Sequence, residues 1–350
     1  MQSLRGCHVV VTGASAGVGR ATAVAFARLG CRVGLIARGA DGLSGARAEV
    51  EAAGGQGLVL QADVADAEAV ERAAEQAERE NGPIDIWVNV AMVTIFSPVS
   101  QMTPEEFRRV TEVTYLGQVY GTMAALKRMR RRDRGTIVQV GSALSYRAIP
   151  LQSAYCGAKY AIRGFTNSLR SELIHDGSNI RLTMVQLPAV NTPQFDWSRN
   201  RMPMRPQPVP PIHQPEAVAA AILEAAAKTP RELWVGIPSV KAIVGDMVLP
   251  HWLDHMLASQ AYDGQQSNEP DSADRADNLF APMDGDYGAH GRFDARASPT
   301  VLRFEPTKLR MAAAASMAGL AVAILCLGYL GGKRRARHFS QVDAGTAALR

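Results

Sequence analysis

The chain has 350 residues, 47% of them hydrophobic, which provides enough apolar material for a sizeable core and excludes a chain that is disordered throughout. The formal charge of +5 is concentrated in two basic runs, residues 127–134 and 333–338, which lack the interleaved aromatic side chains of single-strand binders, so nucleic-acid binding is not expected. The four cysteines are scattered without a CxxC pair, which predicts a reducing compartment, no disulfide framework and no metal site.

Short apolar runs alternate with longer helical stretches over the first 240 residues or so. The apolar runs predict strands at residues 8–13, 32–38, 57–64, 84–90, 135–142, 180–188 and 232–238. The stretches between them predict helices at residues 17–29, 41–53, 66–81, 103–130, 153–175 and 214–228. Strands that are almost continuously Val, Ile and Leu are typical of a sheet covered by helices on both faces. The prediction is an α/β fold with a doubly wound, Rossmann-type parallel sheet of seven strands.

The first predicted strand runs directly into a glycine-rich turn, TGASAGVG, at residues 12–19. Glycines in this place let the backbone turn sharply and approach a pyrophosphate, and the N-terminus of the following helix supplies amide donors. The strand, turn and helix context therefore predicts a dinucleotide site. The TGxxxGxG spacing differs from the GxGxxG fingerprint and points to a particular family.

Residues 153–160 read SAYCGAKY inside a predicted helix, where residues four apart share a face. Tyr155 and Lys159 are therefore neighbours, while Cys156 and Tyr160 form a separate row and are interpreted as packing residues. A positive charge beside a phenol favours the phenolate and lowers a pKa that is about 10 when unperturbed. The pair is predicted to transfer a proton near neutral pH.

These motifs, in this order and spacing, resemble the short-chain dehydrogenase/reductase family of the TGxxxGxG and YxxxK type over residues 4–240. The resemblance implies an NAD(P)-dependent oxidoreductase that interconverts an alcohol and a ketone or aldehyde. It implies a catalytic set in which Tyr155 is the acid/base, Lys159 holds the nicotinamide ribose and Ser142 binds the substrate oxygen. It also implies a set of coenzyme-binding positions: Thr12, Gly13, Ser15, Gly17, Val18, Gly19, Asp63 (at the adenine), Val64, Asn89, Ala91, Tyr155, Lys159, Pro188, Val190 and Thr192.

The end of the second strand bears on the choice of coenzyme. A carboxylate there would bond the ribose 2′-hydroxyl and repel a 2′-phosphate, but this chain has Arg38 at that place. A guanidinium suits bidentate contact with a phosphate. The sequence therefore favours NADP(H) over NAD(H); an ordinary exposed arginine at the strand end would leave the preference open.

The chain departs from the family pattern in three motifs. Residues 89–92 read NVAM where the family commonly has NNAG, and the usual PG after the sixth strand is Pro188-Ala189. Thr114 stands where many relatives have an asparagine of a proton relay, and its hydroxyl is expected to preserve an altered relay. The alternative function is a catalytically impaired nucleotide-binding scaffold or redox sensor at the membrane. The intact Ser142, Tyr155 and Lys159 favour the enzyme.

The composition changes after the predicted catalytic domain, residues 1–258. Residues 259–307 are polar and rich in Gly, Asp and Pro, which predicts a linker, although the interspersed Phe280, Met283, Tyr287 and Phe293 could dock on a surface. Residues 308–332 contain a 22-residue uncharged stretch from Met311 to Gly332, and at 1.5 Å per residue it spans roughly 33 Å, enough for a bilayer core. A transmembrane helix is predicted here, followed by a basic tail at 333–350; the alternative is a hydrophobic helix buried in an oligomer or against the catalytic domain.

The predicted cellular setting is a single-pass membrane protein with its catalytic domain in the cytoplasm, since no secretory signal precedes the first strand. Residues 189–212 are predicted to form a variable substrate lid. Its apolar contacts would come from Phe195, Trp197, Met202 and Met204, and its positive charge, suited to an anionic group, from Arg199, Arg201 and Arg205. A small lipophilic substrate is expected. By analogy with the family, a homo-oligomer is expected as well.

Overall fold

The computed structural model describes residues 4–272, 274–308 and 311. The chain divides into two units, Met1–Phe304 and Glu305–Arg350. The first unit contains all the elements discussed below. Of the second unit the structure describes residues 305–308 and 311, where Lys308 forms an ion pair with Glu305.

Fourteen strands occur in the described residues of the first unit. They are β1 (His8–Thr12), β2 (Arg32–Ala37), β3 (Gln56–Gln61), β4 (Ile86–Asn89), β5 (Ile95–Phe96), β6 (Thr136–Ser142), β7 (Arg181–Leu187), β8 (Arg199–Asn200), β9 (Met204–Pro206), β10 (Ile212–His213), β11 (Glu232–Val235), β12 (Gln266–Pro270), β13 (Ala297–Ser298) and β14 (Arg303–Phe304).

The α-helices of the same residues alternate with the longer strands. They are α1 (Gly17–Ala27), α2 (Ala40–Ala52), α3 (Ala67–Asn81), α4 (Pro104–Thr111), α5 (Gly117–Met129), α6 (Ser153–His175), α7 (Gln194–Trp197), α8 (Pro215–Lys228), α9 (Ile237–Val248) and α10 (Pro250–Gly264). The predicted helix at 103–130 is two helices, α4 and α5, joined by a π-helical turn at Glu112–Leu116.

The main sheet has eight strands in the order β14-β11-β7-β6-β4-β1-β2-β3. The seven predicted strands are all present and pair in parallel, which confirms the doubly wound α/β fold. The predicted number of strands was wrong by one, because β14 adds to the edge of β11 in the antiparallel direction. Sequence patterning misses it because two residues are too few to show a periodicity.

Local sequence explains how the helices begin. The Asp66 side chain accepts hydrogen bonds from the amides of Glu68 and Ala69 and caps α3. Thr103 and Glu106 form a capping box at the start of α4. The central strands β1, β2 and β4 are almost wholly buried. Helices cover both faces of the sheet, and the hydrophobic core therefore lies on both faces.

Residues 259–272 and 274–304 differ from the predicted linker, because they belong to the first unit and pack against its other elements. They complete α10, form β12, β13 and β14, and anchor side chains in the unit. The Phe293 ring packs edge-on against Phe195 at 5.8 Å, and Arg275 donates to the backbone carbonyl oxygen of Ser198 at 2.7 Å. A polar composition suggested a linker, but a few aromatic and arginine side chains are enough to hold the segment in place.

The predicted membrane span at 308–332 lies outside the described residues, except for Lys308 and Met311. Among the helices that the structure does describe, none is long and apolar enough to cross a bilayer.

Candidate active site

The candidate site is a cavity of about 430 Å³ at the carboxyl ends of β1, β4, β6 and β7. The order of the sheet reverses between β1 and β4, and this switch point is where open α/β sheets bind ligands. The cavity runs from the glycine-rich turn, past Ser142 and Tyr155, to side chains of α9 and α10.

The glycine-rich turn forms a backbone cradle at one end of the cavity. Gly13 has φ +69°, and a Cβ on it would lie 2.8 Å from the Cα of Ala91. A Cβ on Gly19 would overlap the carbonyl oxygen of Gly13. Only glycine fits at these two positions, and the surface they leave open beside the N-terminus of α1 fits the pyrophosphate of a dinucleotide.

Three predicted catalytic side chains meet in the middle of the cavity. Ser142, at the end of β6, lies within hydrogen-bonding reach of the Tyr155 phenol on α6. The ammonium of Lys159 lies 5.5 Å from the centre of the Tyr155 ring and donates a 2.8 Å hydrogen bond to the carbonyl oxygen of Val140. The four-residue spacing thus puts both side chains on the same face of α6, as the sequence predicted.

The pKa values of Tyr155 and Lys159 differ from those expected from the sequence. Burial raises the pKa of Tyr155 above its ordinary value, although the ring keeps some surface open to the cavity, and the hydrogen bond with Ser142 only partly opposes this. Burial lowers the pKa of Lys159 to about 7. The expectation that the lysine charge would lower the pKa of Tyr155 therefore fails, because the removal of water penalises the charged forms of both side chains.

The neighbours of the catalytic pair on α6 have packing roles. Cys156 is buried, and burial raises its pKa to about 11, which disfavours the nucleophilic thiolate. The Tyr160 hydroxyl donates to the carbonyl oxygen of Tyr146.

Three residues predicted for the site do not line the cavity. The Thr12 hydroxyl accepts hydrogen bonds from the amides of Val90 and Ala91 and fixes the loop after β4. The Thr114 hydroxyl donates to the carbonyl oxygen of Val93 at 2.9 Å and accepts from its amide at 3.1 Å. The Thr114 hydroxyl proton therefore bonds a backbone carbonyl oxygen and is not available for the proton relay that the sequence predicted.

Asn89 also differs from its predicted role, because its side chain belongs to a buried network under the site. Its amide nitrogen donates to Thr122 and Gln139 at 3.0 Å each, and its oxygen accepts from the Trp87 indole at 2.8 Å. Removal of one member of such a network leaves several buried polar groups without partners. The network supports the packing of β4 on α5.

We expect Asn89→Ala to lower the free energy of unfolding by roughly 2–4 kcal/mol, since it leaves the Trp87 and Gln139 groups unpaired. Denaturant unfolding measures this change, and Asn167→Ala, at an exposed position on α6, is the control. Coenzyme affinity of the folded variant should stay within about threefold, because an indirect change in loop position is worth less than a lost contact. A larger loss of coenzyme affinity, with an unchanged free energy of unfolding, would support the coenzyme contact that the sequence predicted for Asn89.

The remaining predicted coenzyme residues all line the cavity: Gly13, Ser15, Gly17, Val18, Gly19, Arg38, Asp63, Val64, Ala91, Tyr155, Lys159, Pro188, Val190 and Thr192. Two of these lining residues are charged, Arg38 and Asp63, and they lie at the end of the cavity beyond the cradle. Arg109 forms a 2.5 Å ion pair with Asp63. Burial lowers the pKa of Arg38, and the nearby Asp63 carboxylate opposes this.

The sequence did not predict the segment at residues 278–291, here called the cleft segment, as part of the site. The Arg38 guanidinium donates to its carbonyl oxygens at Phe280 (3.2 Å) and Asn278. The Gly17 amide donates to the carbonyl oxygen of Gly288 at 3.1 Å, and Arg20 forms an ion pair with Asp286. The cleft segment therefore covers the end of the cavity that holds the glycine-rich turn.

The other end of the cavity is mainly apolar. Its lining includes Leu144, Ile149, Phe195, Trp197, Val209, Ala242, Leu257 and Ala261. Gln152 and Gln265 add a polar strip that the sequence analysis missed, in which the Gln152 amide donates to the Gln265 oxygen at 2.7 Å. A glutamine shows no motif, so only the fold reveals that these two meet.

The three arginines of the predicted lid do not face this cavity. Arg199 and Arg201 both pair with the buried carboxylate of Glu106, at 3.0 and 2.6 Å. Arg205 pairs with Asp196 and Glu269. The expectation that they receive an anionic substrate group was wrong, because acidic neighbours already neutralise them and fix the lid to α4 and β12.

Comparison with known proteins identifies the class of enzyme. The model of the short chain dehydrogenase family matches residues 7–202, more than half of the chain. The chain is 31% identical over 294 residues to the uncharacterized oxidoreductase YxnA of Bacillus subtilis, covering 83% of this chain and 82% of that protein. This protein therefore belongs to the short-chain dehydrogenase/reductase family and is an oxidoreductase. The family uses NAD(P)(H).

Two further relatives carry names that refer to a substrate. The 3-dehydrosphinganine reductase of Danio rerio is 33% identical over 229 residues, which are 63% of this chain and 68% of that protein. The 3-ketodihydrosphingosine reductase of Bos taurus is 30% identical over 230 residues, which are 63% of this chain and 69% of that protein.

Proposed function

We propose that this protein is an NADP(H)-dependent oxidoreductase that interconverts a lipophilic ketone and its alcohol. One observation carries the proposal: Ser142 and Tyr155 stand in a single cavity between a glycine cradle and a mainly apolar wall. A ketone whose carbonyl group lies beside Tyr155 would place its hydrocarbon chain against Phe195, Leu257 and their neighbours. The names of the two sphingoid-base reductases among its relatives support a substrate of this class.

The side chains of this protein would handle the proton. When bound, the nicotinamide coenzyme supplies or accepts the hydride. Tyr155 gives its phenolic proton to the carbonyl oxygen in reduction, and the pKa that burial raises keeps the phenol protonated at neutral pH. The Ser142 hydroxyl donates a hydrogen bond to the same oxygen and stabilises its developing charge. Lys159, whose ammonium lies 5.5 Å from the centre of the Tyr155 ring, would bind the nicotinamide ribose and stabilise the phenolate that remains when the proton leaves.

The preference for NADP(H) rests on Arg38, which lines the cavity at the end of β2. Carbonyl oxygens of the cleft segment hold the guanidinium at that place, and no carboxylate of the second strand competes with it. A fixed guanidinium beside the cavity favours a 2′-phosphate through charge-assisted hydrogen bonds.

We expect Arg38→Gln to weaken NADPH binding by roughly tenfold or more while NADH binding changes little, because a charge-assisted hydrogen bond contributes about 1.5–3 kcal/mol. Fluorescence titration with both nucleotides measures the ratio of the two dissociation constants. A general loosening of the cleft segment would change both constants alike and leave the ratio unchanged. Arg28→Gln, at an exposed position just after α1, is the control. An unchanged ratio in Arg38→Gln would refute the assigned preference.

We also propose that residues 308–332 anchor the protein in a membrane, with the catalytic unit in the cytoplasm. The support is the uncharged stretch from 311 to 332 with basic residues on both sides. A cytoplasmic catalytic unit agrees with the proposed use of NADPH. Alkaline extraction of membranes from cells that express the full chain tests the anchor, and release of the protein into the soluble fraction would refute it.

The proposed reaction is tested by following NADPH oxidation with 3-dehydrosphinganine and with a series of ketones of increasing chain length. We expect kcat/KM to rise along the series, since each buried methylene contributes about 0.8 kcal/mol. No oxidation with any member, despite NADPH binding, would favour the scaffold or sensor alternative.

A further inference from the structure

The outer surface of the helical hairpin formed by α9 and α10 is apolar and exposed. Its turn, here called the hairpin apex, comprises residues 247–252, MVLPHW. Four apolar side chains of the apex are more than half exposed: Met247 (55%), Val248 (66%), Leu249 (55%) and Trp252 (59%). Val244 and Ile237 extend the exposed surface along α9. Contiguous apolar surface of this kind is rare on a monomeric soluble protein unless it contacts something.

The inner face of the same hairpin belongs to the active site. Ser239 and Ala242 of α9 line the apolar end of the cavity, together with Leu257 and Ala261 of α10. The hairpin therefore has the cavity on one side and its exposed apolar surface on the other. Whatever contacts the outer surface lies next to the wall that a lipophilic substrate would touch.

The charges of the hairpin are arranged so that the apex carries no unpaired acid. Asp246 and Asp254 both form ion pairs with Arg147, at 3.1 and 2.5 Å. The exposed ionisable side chains that remain near the apex are Lys241, His251 and His255. Tryptophan and lysine together are typical of segments that lie at a membrane interface, where the ring is half immersed and the ammonium stays in water.

The place where the chain leaves the first unit indicates which partner covers this surface. Phe304, the last residue of that unit, packs in one apolar cluster with Trp234 of β11 and with Val240 and Ile243 of α9. The sequence then reaches the uncharged stretch 311–332 within seven residues. Seven residues span at most about 25 Å when fully extended, so a bilayer that receives this stretch would lie within that distance of Phe304.

We infer that the hairpin apex rests in the interface of a lipid bilayer and places the apolar end of the cavity at the membrane. This inference rests on the proposed function, because a lipophilic substrate dissolved in the membrane would pass from the bilayer to the cavity along the hairpin. A second copy of this chain on the same surface is the alternative occupant.

The contact is tested without measuring activity, by fluorescence of the full chain in phosphatidylcholine and phosphatidylserine vesicles that contain lipids with brominated acyl chains. Of the four tryptophans, Trp252 is exposed, Trp87 and Trp234 are buried, and Trp197 lines the cavity, so excitation is chosen to be selective for tryptophan. We expect bromolipid to quench part of the emission, Trp252→Phe to abolish that quenching, and Trp197→Phe to retain it.

Two results would overturn the inference. Quenching that is lost in Trp197→Phe and kept in Trp252→Phe would mean that lipid reaches the cavity and not the apex. A Trp252 that is shielded from aqueous iodide but not quenched by bromolipid would mean that another protein surface, such as a second copy, covers it. Because neither result depends on turnover, failure of the proposed reaction leaves this test valid.

A second measurement connects the contact to the reaction. Val248→Asp should raise the KM for 3-dehydrosphinganine in vesicles by roughly tenfold, since a charge at the interface opposes immersion of the apex, while kcat stays near the wild-type value. KM for a short water-soluble ketone should not change. Met123→Asp, at a 60% exposed apolar position on α5, is the matched control. Equal effects of Val248→Asp on both substrates would overturn the inference.

Discussion

Tyr155→Phe should reduce kcat by roughly 10²–10⁴-fold, which is the range that a positioned proton donor contributes. The substitution removes only the hydroxyl that lies within reach of Ser142, and it leaves the ring that packs above Lys159. The fold and the cavity should therefore persist. Stopped-flow measurement of single-turnover NADPH oxidation with the best ketone substrate gives the rate of the chemical step.

The control for this variant is Tyr160→Phe on the same helix. The Tyr160 hydroxyl donates to the carbonyl oxygen of Tyr146, and Tyr160 does not line the cavity. Its loss should cost about 1 kcal/mol of stability, as for an ordinary hydrogen bond, and leave turnover within about twofold. If Tyr155→Phe retained the wild-type rate of single-turnover NADPH oxidation, Tyr155 would not be the acid.

Gly19→Ala should abolish coenzyme binding, with a dissociation constant raised by roughly 100-fold or more, and should lower the free energy of unfolding by about 1–3 kcal/mol. The added methyl group would overlap the carbonyl oxygen of Gly13. Since that atom belongs to the backbone of the turn, the overlap is relieved only by moving the cradle itself. Titration with NADPH and denaturant unfolding measure the two effects.

Gly164→Ala is the matched control, because a Cβ there meets no atom within 4 Å and the residue is exposed on α6. Replacement of glycine by alanine inside an exposed helix should stabilise the protein by about 0.5–1 kcal/mol and leave coenzyme binding unchanged. Normal NADPH affinity in Gly19→Ala would show that the turn adapts, and the cradle would then lose its assigned role.

The sequence alone determined the parallel sheet and the catalytic group, because both depend on short-range patterns. Buried parallel strands are runs of Val, Ile and Leu, and a four-residue spacing on a helix puts Tyr155 beside Lys159 whatever surrounds them. The glycines of residues 13–19 are readable for the same reason, since a tight turn between a strand and a helix limits the residue type.

The tertiary structure decided the features that depend on partners far away in the chain. Asn89 and Thr12 belong to motifs that suggest coenzyme contact, yet distant residues occupy their hydrogen-bonding groups. Asn89 donates to side chains 33 and 50 positions away, and Thr12 accepts from amides 78 and 79 positions away. The sequence suggests that the arginines of the lid are available for an anionic substrate, but in the fold Glu106 pairs with Arg199 and Arg201. The pKa values of Tyr155 and Lys159 likewise follow from burial, which the spacing of the two residues does not reveal.

The cleft segment at 278–291 shows this limit most clearly. Its composition is that of a linker, with Gly, Asp and Pro and no periodic pattern. It becomes part of the site because its backbone carbonyl oxygens meet Arg38 and Gly17, each more than 200 positions earlier in the chain. Local propensity determines which segments form strands and helices, but backbone groups that pair across such distances have no signature in the side chains.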